Sequence, residues 1–121
     1  MSDAPLIQLR PDLVEGVAIL DLLPREMTEP EEAARLGAGL RSVAASVETN
    51  RFLINLAETK YMSSTAFAVL ISFGIRTADA GGRVAICEMD PDVRIGADIV
   101  RLGRIVPIYD DEPTALAALV V

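Results

Sequence analysis

Residues 52–70 read FLINLAETKYMSSTAFAVL, and the fold of the chain follows from them. Phe52, Leu53, Ile54 and Leu56 form a short apolar run, the pattern of a strand covered on both faces. A short loop follows, and then Ser63, Ser64 and Thr65 place three hydroxyl side chains together at the mouth of an apolar segment. The spacing of Phe67, Leu70, Ile71, Gly74, Ile75 and Ala78 predicts a helix over residues 64–80, ended by Gly81-Gly82. Capping by Ser63 or Ser64, whose side-chain oxygen can accept a backbone N–H bond, accounts for a hydroxyl at that start.

Working outward gives the same alternation. Upstream, residues 6–9 and 17–23 read as strands joined through Pro11, Asp12 and Gly16, a hairpin that Pro24 terminates. Thr28 and Glu31 have capping-box spacing around Pro30, and Leu36, Leu40, Val43 and Val47 recur at helical steps, so a helix is expected over residues 31–46. Downstream, residues 83–87 form a strand. Asp90-Pro91 then opens a helix ending near Leu102, with Gly103 just beyond it. Residues 105–109 read as a last strand, and Asp111-Glu112-Pro113 starts a final helix carrying Leu116 and Leu119 on one face. Strands alternating with helices require crossover connections. The expected fold is therefore α/β, a mixed, mainly parallel central sheet with about four helices, in one domain spanning residues 1–121.

Composition narrows the function. The 121 residues carry 18 acidic and 11 basic side chains, a formal net charge of −7. Such a surface repels phosphate backbones and anionic lipid, so neither nucleic acid nor a membrane is expected as a partner. The absence of histidine removes the commonest general base and metal ligand. The single cysteine, Cys87, lies in an apolar run and reads as a buried, inert thiol. No phosphate-binding or dinucleotide motif is present, and Asp110-Asp111-Glu112 reads as helix capping rather than a metal site. Neither an enzyme nor a cofactor is expected. The longest apolar stretch, residues 66–75, is too short to span a bilayer, and residues 1–5 lack the parts of a signal peptide, so a cytoplasmic protein is expected.

The 52–70 segment resembles the central signature of the STAS domain family, to which bacterial anti-sigma factor antagonists belong. In that family a strand and a short loop lead to Asp-Ser-Ser/Thr-Gly-Leu-Gly at the start of an apolar helix. Aligned without gaps, Ser63 takes the Asp place, Ser64 the phosphorylated serine, Thr65 the second hydroxyl and Ala66 the glycine. Gly81-Gly82-Arg83-Val84 and the positions Pro91, Val93, Asp98, Leu102 and Ile105 extend the resemblance over about residues 14–119. The family's Gly-x-Leu-Asp after the second strand is replaced by Pro24-Arg25-Glu26-Met27, with Glu26 and Glu29 as the nearby acids.

The resemblance implies a regulatory domain that docks to an anti-sigma factor, itself a serine kinase, and is released when Ser64 is phosphorylated; a phosphatase restores it. Ser64 is the implied acceptor, ahead of Thr65 and Ser63. A phosphate is tolerated at a helix N-terminus, where amides and dipole favour it, while its charge disrupts an acidic or apolar interface. Val69 and Phe73 lie round from the core stripe. Either they pack on a neighbouring helix or, with Met62, Ser63, Ser64 and Thr65, they form an apolar docking patch. Two other readings stay open: an unphosphorylated scaffold or homo-oligomer subunit of a signalling assembly, and a domain that binds a small anion at the helix start beside Ser64.

Overall fold

The computed structural model describes residues 5–120, so residues 1–4, on which most of the signal-peptide reading rests, lie outside the described residues. Strands β1 (Ile7–Leu9) and β2 (Ala18–Leu22) pair antiparallel, Ile7 opposite Leu22. At the far end of their hairpin Val14 and Val17 exchange both backbone hydrogen bonds at 2.9 Å. The intervening Glu15 and Gly16 have φ of 50° and 82°, the backbone that a tight two-residue hairpin with the right twist demands.

Helix α1 (Pro30–Ser46) leads from β2 to β4 (Arg51–Asn55), α2 (Ser64–Asp79) from β4 to β6 (Arg83–Cys87), and α3 (Pro91–Ile99) from β6 to β7 (Ile108–Tyr109). The sheet runs β1-β2-β4-β6-β7, parallel throughout except for β1. This is the mixed, mainly parallel sheet that the alternation predicted. Side chains alternate across it. Leu20, Phe52, Ile54 and Ile86 join α1, α2 and α3 in the larger core. Ile19, Leu53, Ala85 and Cys87 face the last helix, α4 (Glu112–Val120), through Ala115 and Leu119. Both faces of the central strands are thus covered, which explains their unbroken apolar runs.

Four local expectations are corrected. Glu29, not Thr28, is the residue before the first turn of α1, and Glu32 Oε1 accepts the Glu29 N–H at 3.0 Å, so the reciprocal pair sits one residue later. The third helix ends at Ile99 rather than near Leu102. Arg101 then turns the chain with φ of 59° into a single 3₁₀ turn, Leu102–Arg104. That descent buries Leu102 and Val106 completely and leaves only Ile108–Tyr109 as strand. Two further short strands, β3 (Glu26–Met27) and β5 (Tyr61–Met62), form a separate parallel pair.

The fourth correction concerns α2. Its buried face is Ala66, Phe67, Leu70, Phe73, Gly74 and Thr77, whereas Ile75 and Ala78 are exposed. The helix is turned further toward α1 than the sequence stripe implied, and Phe73 packs edge-on against Phe52 with ring centroids 5.4 Å apart. Phe73 is therefore a core residue and not part of an exposed docking patch, because only 6% of it meets solvent. Such a ring pair contributes about 0.5–1.5 kcal/mol beyond its buried area. On the other flank α3 comes close: a Cβ on Gly96 would lie 2.9 Å from the Phe67 ring. Only glycine permits that approach without a shift.

The acidic run before α4 divides its work. Asp111 Oδ1 accepts the Thr114 N–H at 2.8 Å, a helix cap as expected. Glu112 instead reaches the Arg10 guanidinium at 2.7 Å and the Asn55 amide at 3.0 Å, while Arg10 also holds Asp21 through two hydrogen bonds. The Arg10 hydrogen bond and charge keep the Glu112 carboxyl below the ordinary glutamate range. Cys87 is fully buried, and desolvation pushes its thiol up to about 12.

Candidate docking and phosphoacceptor site

The loop between β4 and α2 is anchored at every turn. Asn55 Oδ1 accepts the Ala57 N–H at 2.9 Å, and the buried Thr59 hydroxyl donates to the Pro24 carbonyl at 2.7 Å. The N–H groups of Lys60 and Tyr61 both reach the Arg25 carbonyl, and that of Ser63 reaches the Met27 carbonyl at 2.8 Å. The β3–β5 pair thus works as a bracket that fixes where α2 begins. Sequence reading missed it because two-residue strands show no alternation to detect.

That bracket decides which serine caps. Ser63 has extended backbone angles, φ −78° and ψ 162°, and its Oγ accepts the Ala66 N–H at 3.2 Å. Its carbonyl accepts the Phe67 N–H at 3.0 Å. Ser64 is consequently the first residue inside the helix, exposed and followed by the exposed Thr65. Ser and Asp are interchangeable as caps, so Ser63 does the structural job open to an acid at that place. Ala66, where the family has glycine, is fully buried within the core cluster.

Of the residues assigned to docking, Met62 and Ser63 are half-buried, Ser64 and Thr65 are exposed, and Val69 is half-buried against the core with α1 near it. Phe73 belongs inside, as described. At 100° per residue, Ser64 continues along α2 into Ala68, Ile71 and Ile75, with Ile75 45% exposed. On α3, Ile95 and Ile99 are 62% and 76% exposed. They lie one turn apart on the solvent face of α3, opposite the buried Val93 and Ala97. The polar flank of α3, with its Arg94–Asp98 ion pair at 3.0 Å, faces away. The large exposed apolar side chains of α2 and α3 are thus isoleucines: Ile75, Ile95 and Ile99. Ile95 and Ile99 at a helical i, i+4 spacing, opposite Val93 and Ala97, were the available signal in the sequence.

Among the described residues no helix is long and apolar enough to cross a membrane. The STAS domain model matches residues 26–115. An anti-sigma F factor antagonist of Paenibacillus polymyxa is 30% identical over 72 residues, 60% of this chain and 62% of that protein, so the chain spans under two thirds of that curated relative's length. The crystal structure of an anti-sigma factor antagonist from Mycobacterium paratuberculosis superimposes with a TM-score of 0.78 at 18% identity, covering 98% of each chain. The Bacillus cell fate determinant SpoIIAA in its phosphorylated form superimposes with a TM-score of 0.68 at 14% identity, covering 95% of this chain and 99% of that one. These two structures share the fold, and the family match covers most of the length: the chain belongs to the STAS domain family.

Proposed function

We propose that the protein is an anti-sigma factor antagonist that docks to an anti-sigma factor with serine kinase activity and is switched by phosphorylation of Ser64. The observation that carries this reading is Ser64 itself: an exposed residue at the first position of α2, held by an anchored loop, on a helix whose same face runs through Ile71 to the exposed Ile75. Among the described residues its hydroxyl makes no hydrogen bond, Ser63 supplying the cap. The relatedness to an anti-sigma F factor antagonist, and the likeness to a protein solved in a phosphorylated form, support the same reading. A phosphate there would meet the first amides of the helix. Its charge of about −2 would stand beside an apolar surface that a partner must desolvate. Binding is lost while the fold is kept. In this reading the protein is a single cytoplasmic STAS unit with no catalytic role, and a phosphatase resets it.

The test is to incubate the protein with its anti-sigma kinase and ATP and map the product by mass spectrometry. A single phosphate on Ser64, absent from Ser64→Ala, is expected, and Ser64→Glu should bind the kinase at least about ten-fold more weakly. Ile99→Glu should abolish binding without moving the thermal midpoint. Stable binding that ignores both Ser64→Glu and Ile99→Glu would sink the switch. The exposure of Ile95 and Ile99 also suits a scaffold subunit with a permanent neighbour. Sedimentation showing a lasting oligomer that is indifferent to the kinase would favour that role.

A further inference from the structure

A groove between α1 and α2 opens as two adjoining hollows of about 360 and 220 Å³ that share Arg41, Phe73 and Arg76. Arg76 lies 12 residues along α2 from Ser64, about 18 Å by helical rise, so the groove is distinct from the proposed docking site. Phe52 and Phe73 line the larger hollow, and alanines together with Gly37 keep the helices' facing sides low. The Arg41 guanidinium folds back over that low stretch: a Cβ on Gly37 would lie 3.4 Å from Arg41 Nη1 and 3.5 Å from Val69. Arg10, Arg51, Lys60 and Arg94 are all bonded to carboxylates or carbonyls. The guanidinium groups of Arg41 and Arg76, like those of Arg25, Arg101 and Arg104 elsewhere on the surface, have no hydrogen bond or ion pair among the described residues.

Two unpaired guanidinium groups over an aromatic floor, in a chain of net charge −7, are a local reversal of the protein's charge. We propose that this groove binds a single-chain amphiphilic carboxylate, its acyl chain lying over Phe52 and Phe73 and its head between Arg41 and Arg76. Guanidinium forks match carboxylates in geometry as well as charge. The walls are chiefly α1 and α2, closed at one end by Thr49 and Asn50, and the apolar strip between them suits a chain without polar groups of its own.

The test is a titration of the ¹⁵N-labelled full chain with sodium decanoate below its micellar concentration, alongside calorimetry. Saturable one-to-one binding is expected, with shifts confined to residues 33–52 and 69–80. Acetate and decyltrimethylammonium should give no saturable binding. The double substitution Arg41→Ala/Arg76→Ala should weaken binding about ten-fold or more. Ala45→Leu, at an exposed helical position lining the larger hollow, should fill the site without altering the circular dichroism. No saturable binding, shifts centred on the start of α2, equal binding of the cationic amphiphile, or affinity unchanged in both variants would each overturn the proposal.

Discussion

Ser63 and Ser64 are neighbours with different surroundings, and the difference can be measured. Ser63 holds the Ala66 N–H at 3.2 Å, so Ser63→Ala should lower stability by about 1 kcal/mol in urea unfolding. Ser64, exposed and outside the capping bond, should tolerate alanine within about 0.5 kcal/mol. The sequence displayed the hydroxyl cluster but left the cap shared between the two serines. What decides it is the Ser63 N–H bond to Met27 at 2.8 Å, a contact between distant parts of the chain that no local pattern encodes. Cys87 was legible from its apolar run alone. With its thiol raised to about 12 by burial, it should resist iodoacetamide in the native state and react only on unfolding.

Helix α2 lies between α1 on one flank and α3 on the other, and both flanks are apolar. Its existence and length could be read from residue spacing, as could Phe67, Leu70 and Gly74 as core. How far it is turned between its neighbours could not, because Phe73 and Ile75 are equally apolar and only the packing of Phe73 on Phe52 separates them. Phe73→Ala should therefore cost about 3–5 kcal/mol, whereas Ile75→Ala, on the exposed side, should stay within about 0.5 kcal/mol. The α3 flank depends on Gly96. A valine there must push the Phe67 ring aside, at about 1–3 kcal/mol, and should also misplace Ile95 and Ile99. Strands β3 and β5 were invisible for a different reason: their pairing is specified by the crossing of two loops and not by any periodicity.

Across the whole molecule, the sheet, its mixed direction and the covering of both faces followed from alternation and from the unbroken apolar runs. The tie between the two ends of the chain did not, since Arg10 and Glu112 carry no motif. Its pH dependence has a definite sign. The Glu112 carboxyl titrates below the ordinary 4.5 because it accepts a hydrogen bond from Arg10. Its contribution is therefore complete above that unfolded value and is lost as pH falls through the folded one. Urea midpoints measured from about pH 7 down to about pH 3 should show wild type ahead of Glu112→Gln at neutrality, with the gap closing in acid.

That tie joins groups 102 positions apart in the chain, and its distance has a kinetic side. The βαβ units between β2 and β6 make contacts of much shorter range and can condense without either end in place, whereas closing so long a loop is entropically unfavourable until they have. The Arg10–Glu112 clasp should thus form after the folding barrier is crossed. Arg10→Ala is expected to speed unfolding and leave the refolding rate nearly unchanged in stopped-flow experiments. The clasp then acts chiefly on how long the native state lasts once reached, and hardly at all on how quickly it is found.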